Sequence, residues 1–138
     1  MSTIDPYSQY LENQVKTTTP GRLLVMAYDA AIRFGRIARE KMAAKQLDEQ
    51  SANIRKMQNI ILELMGALDH KVDRQLAANL ESLYVYAFDR LTEANIRDNA
   101  KALEEVIQVL TELRSAWAEA ELTVRAAGSE SRLEERAA

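Results

Sequence analysis

Cysteine is absent from the 138 residues, which removes disulfides and thiolate metal sites together. Glycine and proline are scarce, at four and two, and both prolines fall within the first twenty residues, so nearly all of the chain is free of helix breakers. No charge of one sign dominates. The net of −3, with Lys and Arg scattered among Asp and Glu, leaves no basic face for a phosphate backbone, and nucleic acid is not an expected partner. No apolar run is long enough to cross a bilayer and the first twenty residues hold no apolar leader core, so no membrane insertion is expected and a cytoplasmic (cytosolic) location is. Histidine occurs once, at His70, and a di-iron bundle needs Glu-x-x-His on two helices. Neither a metal nor any other cofactor is expected.

What is present points to one helical domain. A chain of this length buries roughly two thirds of the surface that its unfolded form exposes. With 47% hydrophobic and 28% charged residues it is too apolar to stay unfolded. From Pro20 onward, apolar residues recur at three- and four-residue spacing in four blocks separated by short polar joints. The spacing predicts helices from Pro20 to about Gln46, from after Asp48 to near His70, from after Asp73 to near Arg97, and from about Asn99 to Ala127 with Gly128 as a C′ stop.

Short joints make successive helices antiparallel, so the fold class is all-α, an up-down four-helix bundle over 20–128. An N-terminal arm, 1–19, is expected to pack on it, and the polar stretch 129–138 to be a disordered tail. The expected core stripes are Leu23, Ala27, Ala30, Phe34 and Ile37; Ile54, Met57, Ile61, Leu64 and Leu68; Leu76, Leu80, Leu83, Ala87 and Leu91; and Leu103, Ile107, Leu110, Leu113 and Trp117.

The stretch "KTTTPGRLLVMAYDAAIRFG" looks at first like a phosphate loop, but it lacks the second glycine, the lysine and the preceding strand that such a loop requires. It reads instead as a helix start, with Thr19 as N-cap and Pro20 at the first helical position. Carboxylates such as Glu104 and Glu105 fall on a face expected to be solvated, and Asp29 and Asp89 are explained as flanking polar positions. No enzymatic signature remains.

The unusual feature is surplus apolar surface. In "LESLYVYAFDRL" the core stripe leaves Tyr84 and Phe88 on one flank and Tyr86 on the other, and Tyr84, Val85 and Tyr86 cannot all point inward. On the first helix Val25 and Ile32, with Tyr28 beside them, are expected to face away from the stripe; Ile60 and Val109 lie at the margins of theirs. Together these suggest apolar grooves for another segment. The arm "DPYSQYLENQV" carries Tyr7, Tyr10 and Leu11 at helical spacing and is too short to be a stable helix alone.

"DPYSQYLENQVKTTTPGRLLVMAYDAAIRF", "IRKMQNIILELMGALD", "NLESLYVYAFDRLTEANIRDN" and "LEEVIQVLTELRSAW" occur here in one order and spacing, from about Asp5 to Trp117. In this conjunction the chain resembles the FliS family of bacterial flagellin export chaperones. The resemblance implies a small cytoplasmic antiparallel bundle that binds the C-terminal segment of flagellin, prevents premature polymerisation and assists delivery to the flagellar type III export apparatus, with the export gate as a further partner. It also implies that Tyr7 and Tyr10 adjoin the partner-binding surface. The groove positions Val25, Ile32, Ile60, Tyr86 and Val109 come from helical angles alone. The free protein is expected to be a monomer or weak homodimer. Two other readings stay open at this point: a self-associating structural bundle whose apolar strips form a homodimer interface, and, more weakly, a phosphotransfer protein using His70.

Overall fold

Thr19 opens the bundle as expected. Its extended backbone carries the side-chain oxygen to the N–H of Arg22 at 3.2 Å, and Pro20 occupies the first turn. The computed structural model describes residues 19–137 and, apart from these, Pro6. Tyr7 and Tyr10 lie outside the described residues. Four helices follow one another: α1 (Pro20–Ala43), α2 (Leu47–Gly66), α3 (Arg74–Arg97) and α4 (Ala100–Ala137), with no strand among the described residues.

Each joint has a local cause. After α1, Lys45 takes the left-handed conformation (φ 58°), and the N–H groups of Gln46 and Lys45 return to the carbonyls of Lys41 (2.9 Å) and Met42 (3.1 Å), the paired bonds of a Schellman stop. The second helix begins at Leu47, one residue before the expected cap, and places Asp48 and Glu49 in its first turn, where they favour the helix dipole.

That helix ends at Gly66 and not near His70. Beyond Ala67 the Asp69 carboxylate accepts from the N–H of Lys71 at 2.9 Å, a local bond that competes with continuing the helix. Asp73 then caps α3 by accepting from Leu76 N–H at 3.0 Å, and Asn99 caps α4 by accepting from Ala102 N–H at 3.1 Å. The stop expected at Gly128 does not occur, since α4 runs through it to Ala137. One glycine costs a helix only about 1 kcal/mol against alanine, and no proline follows to enforce an end.

α1 packs against α2 and α4, and α3 packs against the same two, so the helices stand at the corners of a square. Cross-helix pairs run in antiparallel order. Asp29 accepts from Arg114 at 2.8 Å and Arg39 meets Glu104 at 2.5 Å between α1 and α4; Gln50 donates to Asp98 at 2.9 Å and Gln58 to Thr92 at 2.8 Å between α2 and α3.

The core departs from expectation on α1. The buried set is Tyr28, Ala31, Ile32, Gly35, Ala38 and Met42, so four of the five expected positions are displaced by one residue, a rotation of about 100°. Small side chains explain it. An added Cβ at Gly35 would stand 2.8 Å from Ile107 and 2.9 Å from Met57, so α1 approaches both neighbours through its alanines and this glycine, leaving Leu23, Ala27, Ala30, Phe34 and Ile37 half-buried. On α3, Ala77 and Tyr84 are buried where Leu76 and Leu83 were expected. The expected residues of α2 and α4 are buried or packed against the core, and Gln50, Ala102 and Val106 join it. Each fully buried Leu or Ile contributes about 1.5–3 kcal/mol.

Candidate functional site

At the end of the bundle where α2 hands over to α3, a groove of about 280 Å³ opens between the helices. Leu64 and Leu68 form one wall, Val72 and Leu76 the other, and Leu24 from α1 and Trp117 from α4 close the far side. The local sequence accounts for its openness. The early end of α2 and the Asp69 turn set the joint away from the bundle, so Val72 stands 83% exposed and Leu76 47% exposed. Apolar surface left in water at a joint is uncommon enough to mark a contact site.

Tyr84 lies in the floor of this groove, although its side chain is almost wholly buried. Its hydroxyl shares a short hydrogen bond with that of Tyr28, which is wholly buried on the diagonally opposite helix. Burial pushes both phenol groups above their ordinary ionisation range; at Tyr28 hydrogen bonding with Tyr84 and Trp117 partly opposes it.

A second feature lies between α3 and α4. Tyr86 is exposed, as expected, and donates to one oxygen of Glu105, whose other oxygen accepts from Arg90 Nε at 2.9 Å; Arg90 also reaches Glu93 at 2.8 Å. The bond from Tyr86, joined by that from Arg90, holds the Glu105 carboxyl below its usual range, and the same bond to Glu105 raises the Tyr86 hydroxyl. Val85 beside it is also exposed, so of the three consecutive residues only Tyr84 points inward.

The other sequence-derived positions are dispersed. Val25 is half-buried and borders a shallow groove on the α1–α4 seam with Met26, Ala118 and Leu122. Ile32, expected to face outward, is a core residue only 6% exposed, and Tyr28, expected beside it, is fully buried; the one-residue rotation of α1 accounts for both corrections. Ile60 is half-buried against the core and Val109 half-buried on α4. His70 sits in the α2–α3 joint and not in a helical turn, 3.5 Å from Glu81. The groove residues Leu68, Val72 and Leu76 were not singled out for binding. The available signal was Val72, one apolar residue in an otherwise polar joint.

Residues 3–124 match the family model described as flagellar protein FliS. The chain belongs to the FliS family. FliS relatives agree along nearly their whole length: the flagellar secretion chaperone FliS of Bacillus subtilis is 35% identical over 120 residues, covering 87% of this chain and 89% of that protein. The flagellar secretion chaperone FliSB of Pseudomonas aeruginosa is 35% identical over 118 residues, covering 85% and 94% respectively. FliS of Salmonella typhimurium is 33% identical over 120 residues, covering 84% and 87%. The FliS relatives are thus named as chaperones, a non-enzymatic role, and among the described residues no helix is long and apolar enough to cross a membrane.

Proposed function

We propose that this chain is a cytosolic export chaperone that captures the C-terminal segment of flagellin, keeps it from polymerising early and helps deliver the subunit to the flagellar type III export apparatus. The observation that carries this reading is the groove lined by Leu68, Val72, Leu76 and Trp117 at the α2–α3 joint. A disordered segment pays an ordering cost when it binds, and burial of apolar side chains offsets that cost. Membership of the FliS family and the names of its relatives supply the flagellar context.

The arm has a place in the same reading. In it Tyr7 and Tyr10 adjoin the partner-binding surface, and the arm that carries them acts as a displaceable cover. Tyr86 with Val85, and Val25 on the α1–α4 seam, extend the partner-binding surface, and the export gate is a further partner.

Calorimetric titration with the C-terminal segment of flagellin from the same organism tests the proposal. A saturable one-to-one complex with a negative heat-capacity change is expected. No binding, accompanied by a stable dimer in light scattering, overturns it and turns the exposed apolar residues into a self-association surface.

A further inference from the structure

The α1–α4 seam carries a second furrow, in two parts that share the Asp29–Arg114 pair. The first part, about 380 Å³, is bordered on its apolar side by Val25, Met26, Ala118 and Leu122, and Leu122 is largely exposed. The second, about 460 Å³, is bordered by Arg33, Arg36, Thr111 and Ser115 above the buried Ile32. From Val25 to Arg36 is about three turns of α1, roughly 16 Å, so the furrow passes from apolar to basic within the length of one short segment.

The basic end has no counter-charge of its own. The carboxylates that line the furrow are engaged: Asp29 accepts from Arg114 at 2.8 Å and Glu121 from the Thr19 hydroxyl at 2.7 Å. Arg22, Arg33 and Arg36 line it as well, all three exposed and none in an ion pair among the described residues; Arg33 stands over the Phe34 ring, 5.3 Å from its centre. Glu40 and Glu112, on the same two helices, lie outside the lining. Three unopposed guanidinium groups on a chain of net −3 are too few for a nucleic-acid backbone but suit carboxylates, and Arg33 and Arg36, three positions apart, are neighbours on the helix surface.

Consecutive residues set this seam against the groove at the α2–α3 joint. Leu24 and Trp117 line the groove, and the residues after them, Val25 and Ala118, line the seam. The charge of the two is opposite: the only charged groups lining the groove are Asp69 and Asp73, which disfavour a carboxylate where the seam favours one. We propose that the bound flagellin segment continues from the groove onto the seam, laying apolar side chains over Val25 and Leu122 and then, about 16 Å further on, Asp or Glu carboxylates against Arg33 and Arg36. This rests on the reading of the groove as the flagellin site and adds the class of side chain that fixes the register of the segment.

Two probes separate the possibilities: the flagellin C-terminal segment, and the same segment with its Asp and Glu replaced by Asn and Gln. The protein carrying both Arg33→Glu and Arg36→Glu should bind the natural segment roughly tenfold more weakly than the parent, and the parent should lose a similar factor toward the neutralised segment. The two losses should not add, because each removes the same contact. Val72→Glu at the exposed wall of the groove should abolish binding. If Val72→Glu abolishes binding while the arginine variant binds as the parent does, or while neutralisation weakens parent and variant alike, the groove stands and the seam proposal is overturned. If Val72→Glu binds as the parent does, the groove is not the docking place and both fall. The unsubstituted protein offers a check that needs no variant to fold: added salt should weaken the natural segment and leave the neutralised one nearly unchanged, and an equal response overturns the proposal.

Discussion

The hydroxyls of Tyr28 and Tyr84 meet across a diagonal of the bundle, tying α1 to α3, two helices that do not stand side by side. The other described polar cross-links join neighbouring helices, but this one passes through the middle. It makes the interior polar at one point, and stability there depends on both partners being present.

The pair should respond to alkali. An unfolded tyrosine ionises near pH 10, while burial holds both of these hydroxyls above that value in the folded state. Because the folded values are raised, the contribution is complete below about pH 10 and is lost as pH rises further, by about 1.4 kcal/mol per pH unit for each group. Tyrosinate absorbance should show these two of the five tyrosines ionising only with loss of helicity. Ionisation at pH 10 without loss of helicity would contradict it.

Removing one hydroxyl strands the other. Tyr28→Phe and Tyr84→Phe should each destabilise by about 1–2 kcal/mol, whereas the double variant should cost less than the sum, since replacing both partners leaves nothing unsatisfied. Strict additivity in urea unfolding would show that the two groups are uncoupled.

Gly35 lies between Met57 of α2 and Ile107 of α4 with no room for a side chain. Gly35→Val should therefore lower stability by about 2–3 kcal/mol despite removing a helical glycine, because overpacking outweighs the gain in helix propensity. A variant that melts at or above the parent temperature would mean that the helices can separate freely there.

Lys45 carries the left-handed conformation that glycine adopts at no steric cost. Its replacement by glycine should stabilise by about 1 kcal/mol, offset slightly by the greater freedom of the unfolded chain. Thermal unfolding of Lys45→Gly measures the sign directly.

Deleting residues 1–16 should change association with the flagellin segment while leaving cooperative melting of the bundle in place. Loss of the cooperative transition on that deletion would make the arm part of the core and end its role as a cover.

The architecture was legible because long helices announce themselves through periodicity and because Thr19, Asp73 and Asn99 are residue types with strong capping chemistry. The facing of α1 was less legible. Weighing large apolar residues favoured Leu23 and Phe34, whereas close approach selected Ala31, Gly35 and Ala38, whose value lies in what they leave room for. Helical angles placed Tyr28 away from the stripe and Tyr84 on a flank, and they carry no sign that each hydroxyl supplies the buried partner of the other, 56 positions apart in sequence. The groove was missed for a related reason. It depends on where α2 stops, and the Asp69 turn sets that stop more than apolar spacing does.

The polar pairs along α1 and α4 form a vernier. Thr19, Asp29 and Arg39 recur every ten residues, about 15 Å apart along the axis, and meet Glu121, Arg114 and Glu104 in turn. Exposed pairs of this kind add little cohesion, each about 0–1 kcal/mol. Their value is in alignment. Sliding one helix by a single turn, about 5.4 Å, would still bring leucines against leucines, but it would break all three pairs together. The hydrophobic stripe brings α1 and α4 together, and the three marks decide at which height they come to rest.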